Sequence, residues 1–135
     1  VIMGEDYDTS SDIWSMGCII YELITGDYLF DPEKGKNDID RDRKHLALMC
    51  EVLGKIPKNI TMECELSEDL FDAKGRVLKY KKSIEYTSLE ELLTIRKDLS
   101  KDNINLIADL LRKMLNYNWK DRITAEHCLQ HPWLK

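Results

Sequence analysis

His127 and His131 stand four residues apart, with Cys128 beside the first, and form the densest group of metal-capable side chains in the sequence. Two imidazoles at that spacing would share one helix face and suit zinc. A zinc site needs further ligands, usually from a second spaced pair, and Pro132 ends the helix directly after His131. Surface or capping roles fit these histidines better. Asp38, Asp40 and Asp42 alternate as in a calcium-binding loop, but position six of such a loop falls on Arg43 instead of Gly and position twelve on Met49 instead of Glu. None of the three histidines has a Ser or Cys at a motif-like spacing, and no glycine-rich run could cradle a phosphate. The sequence offers no catalytic residue and no metal site of its own.

One carboxylate is placed differently. Asp12 opens a stretch, Asp12 to Gly26, that reads as a helix marked at both ends. Thr9, Ser10 and Ser11 offer capping hydroxyls, Thr9 with Asp12 has capping-box spacing, and Gly26 supplies a left-handed exit. Ile13, Trp14, Met16, Cys18, Ile19, Ile20, Leu23 and Ile24 leave no continuous polar stripe, which predicts a buried core pillar. It is too short to span a bilayer. Gly17 costs about 1 kcal/mol in a helix interior, so another backbone is expected to pass close to it. A buried Asp12 would need N–H partners from a neighbouring segment.

The rest of the chain must position this pillar. The 135 residues are 43% hydrophobic and 33% charged with a net charge of −5, as in a soluble domain able to bury a core. That charge argues against a nucleic-acid surface and suits a cationic partner. No signal peptide or membrane span is evident, so a cytoplasmic or nuclear setting is the default. Cys18, Cys50, Cys64 and Cys128 form no CxxC pair and read as reduced, mostly buried thiols. After the pillar, Leu29 and Phe30 are expected to tuck into the core, and the densely charged Glu33 to Lys44 reads as a solvated loop. Leu46, Met49, Cys50 and Leu53 follow helical spacing, closed by Gly54 and Pro57. Residues 58–86 are ambiguous: Leu66 to Ala73 suits a short helix, Lys74-Gly75-Arg76 a turn, and Lys79, Lys81 and Lys82 a small basic cluster. Thr87 with Glu90 and Ser88 with Glu91 give two capping-box registers. A helix then starts near Ser100 with Ile107, Leu110, Leu111 and Met114 on one face, and Thr124 caps a last short helix stopped by Pro132. The sum is five or six helices with no convincing strand: an all-α architecture.

Asp12-x-Trp14-Ser15-x-Gly17, followed by Tyr21-Glu22-Leu23-x-Thr25-Gly26, resembles the central helix of the large lobe of eukaryotic protein kinases. Tyr7-Asp8-Thr9-x-x-Asp12-Ile13-Trp14-Ser15 and Glu22-Leu23-x-Thr25-Gly26-Asp27-Tyr28-Leu29-Phe30-x-Pro32 resemble, more narrowly, the SR-protein kinases, which phosphorylate Arg-Ser-rich splicing factors. Asp121-Arg122-x-Thr124-Ala125 and His131-Pro132-Trp133-Leu134 are similar to that lobe's closing helices.

The resemblance implies that residues 1–135 are the helical C-terminal part of a Ser/Thr protein kinase domain, an α+β fold as a whole. On this reading the N-lobe, catalytic loop and activation segment lie upstream of Val1. ATP and Mg would serve the full-length parent and not bind this fragment, which would be inactive alone. Asp12 would hold the catalytic loop's backbone, and Trp14 would be core. Arg122 would pair with a Glu just before Val1, and without it would be stranded, at a cost of about 3–5 kcal/mol. Asp27 and Glu51 match acidic substrate-docking residues, while Lys44 stands where the family has a third acid. From Asp27 to Glu51 seven acids face five bases, a local charge of only −2. Implied partners are a protein substrate, Arg-Ser-rich for a splicing regulator, and the missing N-terminal part of the domain, without direct nucleic-acid or membrane contact. The alternative is a non-catalytic helical binding module, a pseudokinase remnant that docks protein partners; intact catalytic motifs upstream would decide for the enzyme.

Overall fold

Asn37, Ser88, Ser100 and Thr124 each accept a hydrogen bond on a side-chain oxygen from the backbone N–H three residues on, at 2.9–3.3 Å, and each opens a helix. The structure, a computed structural model, describes residues 9–31, 36–64, 66–78 and 85–135. Among them the helices are α1 (Thr9–Thr25), α2 (Asp38–Leu53), α3 (Lys58–Glu63), α4 (Ser67–Leu70), α5 (Leu89–Leu93), α6 (Lys101–Met114) and α7 (Ala125–Leu129), followed by a 3-10 turn over Pro132–Leu134. The extended pairing among the described residues is a single antiparallel bridge, Phe71 to Val77. The all-α expectation holds.

The chain divides into two compact units, one of Asp8–Leu29 with Thr87–Lys135 and one that includes the intervening Phe30–Tyr86. In the first, α6 is the centre: α1, α5 and the closing turn all pack against it. Its apolar face buries Ile104, Ile107, Ala108, Leu110, Leu111 and Met114. Leu110, Met114 and Cys128 form a cluster on which Ile13, Ile20, Ile123 and Trp133 pack, so helices distant in sequence share one core.

The pillar reading of α1 is only half right. Its buried residues are Gly17 and Tyr21, while Met16, Ile19 and Leu23 are 49, 46 and 77% exposed. One face meets α6, while the stripe carrying those three residues stays largely exposed. Gly17 is a close-approach site, but to side chains: an added Cβ would lie 3.2 Å from Leu115 Cδ2 and Met114 Cβ. Thr9 lies within the helix, in its first turn among the described residues. At the other end Gly26 turns at φ 79° and its N–H donates to the Glu22 carbonyl at 2.8 Å.

In the second unit α4 packs against α2 and α3. Here the expected solvated loop is corrected: residues 38–44 are the first turns of α2. The cap at Asn37, Asp38 and Asp40 against the helix dipole, and the Lys44–Asp40 pair at 3.6 Å propagate helix into a stretch with almost no apolar residues. Lys74-Gly75-Arg76 is a turn as expected, with Gly75 at φ 76° and the Asp72 carboxylate accepting the N–H groups of Lys74 and Arg76. Residues 58–63 form a helix that the sequence left unassigned, and the Leu66–Ala73 helix shrinks to α4. Phe30, half-buried, stacks obliquely on His45 with ring centroids 6.1 Å apart. The basic cluster Lys79, Lys81 and Lys82 lies outside the described residues, as does Pro32.

Candidate functional site

The segment between α6 and α7 braces itself before it reaches α1. Asn116 Oδ1 accepts the Asn118 N–H, Asn118 Oδ1 accepts the Lys120 N–H, and Asn118 Nδ2 donates to Asp121 at 2.8 Å. This fixed turn presents Tyr117 and Arg122 to the N-terminal half of α1. Arg122 Nε and Nη2 donate to the Asn116 carbonyl at 2.9 and 2.8 Å, and Nη1 donates to the Ser10 carbonyl at 2.8 Å. Its guanidinium lies 5.1 Å over the Trp14 ring, and Tyr117 tilts against that ring at 6.2 Å.

Trp14 and Arg122, picked from sequence as support residues, are therefore brought together at one end of α1. Among the described residues, two backbone carbonyls and an aromatic face take donors and charge of Arg122. Asp12, two residues on from Ser10, is exposed.

At the other end of α1, Thr25 Oγ1 donates to the Tyr21 carbonyl at 2.9 Å and accepts the Asp27 N–H at 3.2 Å, so Asp27 is held in a tight exit turn with its side chain exposed. Glu51 and Lys44, both half-buried, stand on α2 in the other unit.

The histidines do not assemble a metal site. His131 is buried, its Nδ1 accepts the Trp133 N–H at 3.2 Å, and its Nε2 lies 2.7 Å from Asp109 Oδ2. The Nδ1 acceptor leaves Nε2–H to donate to the carboxylate, so His131 both caps the closing turn and ties it to α6. Lys113 Nζ reaches the same Asp109 oxygen at 2.9 Å. His127 stays on the surface beside Thr124 at 3.1 Å. Cys50, Cys64 and Cys128 are buried free thiols, and burial pushes the Cys18 thiol up to about 11, which leaves it protonated and unreactive.

Hydrogen bonds from His131 and then Lys113 hold the Asp109 carboxyl below its ordinary 3.8. A lowered carboxylate contributes stability above its unfolded value and loses it as pH falls through the folded one. Asp109→Asn should therefore destabilise the full-length protein at pH 7, and the difference should shrink as pH falls below the ordinary carboxylate range, as unfolding titrations of both forms would read.

Sequence reasoning missed the two carbonyls that hold Arg122, the Tyr117 contact and the Asp109–His131 link. The i,i+4 spacing of Asp109 and Lys113 was a legible signal. The others depend on backbone groups brought close by folding.

The Protein kinase domain family model matches residues 1–134. The chain is 35% identical over 135 residues to Serine/threonine-protein kinase SKY1 of Saccharomyces cerevisiae, covering all of this chain and 18% of that protein. It is 35% identical over 134 residues to Serine/threonine-protein kinase SRPK of Physarum polycephalum (99% of this chain, 31% of the relative) and to SRSF protein kinase 3 of Homo sapiens (99% and 23%). The chain thus spans less than a third of each of these three relatives.

Proposed function

Because this chain belongs to the protein kinase domain family, we propose that the full-length protein transfers the γ-phosphoryl of ATP to Ser or Thr side chains, with residues 1–135 as the C-terminal part of its kinase domain. The observation that carries this is the family match from residue 1 to 134, which takes in both members of the Trp14–Arg122 stack. Protein kinases use ATP and magnesium. Among the described residues no group of three His, Cys, Asp or Glu side chains could hold a metal ion, and the sequence has no glycine-rich loop. On this reading the catalytic base and metal ligands come from other parts of the full-length protein.

The contribution of this chain is support and docking. Asp12, exposed near the start of α1, accepts hydrogen bonds from the catalytic loop's backbone, and the stripe of Met16, Ile19 and Leu23 packs against the rest of the domain. Trp14 and Arg122 keep that end of the helix rigid. Asp27 and Glu51 attract a basic protein substrate. The name SRSF protein kinase 3 and the net charge of −5 favour an Arg-Ser-rich splicing factor. Lys44 opposes this, since a cation repels arginine, but Asp40 at 3.6 Å offsets part of its charge. The setting is cytoplasmic or nuclear; among the described residues no helix is long and apolar enough to cross a membrane.

The test is phosphorylation of an Arg-Ser repeat peptide by the full-length protein, wild type beside Lys44→Asp. Phosphorylation by wild type, with tighter peptide binding by Lys44→Asp, is the expected result. Activity on non-basic peptides alone, unchanged by the substitution, would leave a kinase of other specificity. Inactivity on every peptide would point to a non-catalytic binding module.

A further inference from the structure

The last turn of α1 contains no basic residue, although its free carbonyls form the negative end of the helix dipole. The capping donor comes from 72 residues further on. Arg96, just after α5, donates from Nη1 to the Ile24 carbonyl at 2.6 Å. The remaining edge of the guanidinium is gripped by Asp98: Nε donates to Oδ1 at 2.7 Å and Nη2 donates to Oδ2. This fork-to-fork pairing fixes the plane of the guanidinium, holds the Asp98 carboxyl below its usual range, and neutralises the cation locally.

Three residues after Ile24 stands Asp27. Its backbone is tied to the same end of the helix, through Thr25 Oγ1 and the Gly26 turn, whose N–H returns to Glu22. Whatever fixes the last turn of α1 therefore fixes where the Asp27 carboxylate stands. Without the Arg96 donor, the Ile24 carbonyl would turn to water, and helix ends that lose their partners fray.

We propose that Arg96, oriented by Asp98, is a positioning residue for substrate docking: it caps the C-terminal end of α1 and thereby places Asp27 for an arginine-rich peptide. This rests on the docking role proposed for Asp27. Arg96 does not itself face the peptide's charge unscreened, because Asp98 occupies two of its donors. The device explains why an exposed acid in a turn can act as a defined site rather than a mobile charge: pre-set geometry lowers the entropy lost on binding.

The experiment is steady-state phosphorylation of an Arg-Ser repeat peptide by the full-length protein carrying Arg96→Met, Arg96→Lys, Asp27→Asn or Arg96→Met with Asp27→Asn. Arg96→Met should raise the peptide KM by about threefold or more with kcat nearly unchanged, and Arg96→Lys, which keeps one donor for Ile24, should recover part of that. In the double variant the two effects should not add, because both act through one carboxylate. Additive effects, or an unchanged KM with a lower unfolding midpoint, would make Arg96 a structural brace and overturn the inference alone. If Asp27→Asn leaves the KM of an active enzyme unchanged, the docking role itself falls, and this inference with it.

Discussion

Replacing Trp14 with Ala should lower the folding stability of the full-length protein by about 3 kcal/mol, the low end of the range for deleting a packed tryptophan. The low end applies because Trp14 is half-buried. The loss has three sources. The ring packs against Tyr117, carries the Arg122 guanidinium on its face, and fills space beside the turn that links α6 to α7. Without it, Arg122 keeps its carbonyl partners but not its stacking surface, so the turn loosens as well. Denaturant unfolding of wild type and Trp14→Ala measures this directly. Trp14→Phe should recover roughly half, since a smaller ring retains part of the contact. A loss below about 1 kcal/mol would mean that Trp14 behaves as a surface residue.

The second large effect is on turnover. Asp12→Asn keeps the shape of the side chain and removes its charge. If Asp12 holds the catalytic loop of the proposed kinase, kcat should fall by about 100-fold, the scale expected when reacting groups are displaced by an ångström or so. Folding stability should change by less than about 1 kcal/mol, because Asp12 is exposed and its gain from the helix dipole is small. The pair of measurements is decisive: turnover and stability falling together would reduce Asp12 to an ordinary helix start.

Much of the helical plan was written locally. Thr124 was recognisable as a cap, Ser88 as one of two registers and Ser100 as near a helix start, because a side-chain oxygen three residues before a free N–H is a purely local geometry. The buried face of α6 followed from the spacing of Ile107, Leu110, Leu111 and Met114. The turn at Gly75 and the exit at Gly26 followed from glycine's access to positive φ. Family membership was equally local in origin, since the Asp12-x-Trp14 and Asp121-Arg122 patterns carry it in short strings.

Other features needed the tertiary structure. Apolar content alone made α1 a pillar buried on every side, but burial depends on what lies opposite each face, and Met16, Ile19 and Leu23 remain exposed. The charged start of α2 looked like loop because its stabilisation comes from a cap, a dipole and one i,i+4 pair rather than from an apolar stripe. The resemblance named only a side-chain partner for Arg122. Among the described residues it also meets the carbonyls of Asn116 and Ser10, groups that every residue possesses and that only folding brings within reach. The same holds for Arg96 and Ile24, 72 residues apart. The sequence by itself determined several helix starts and exits, at Thr124, Gly26 and near Ser100, and which family the chain joins, because these are encoded in residues near one another. Tertiary structure decided which helix faces are covered and where the arginines anchor, because those depend on backbone and surface brought together from distant parts of the chain.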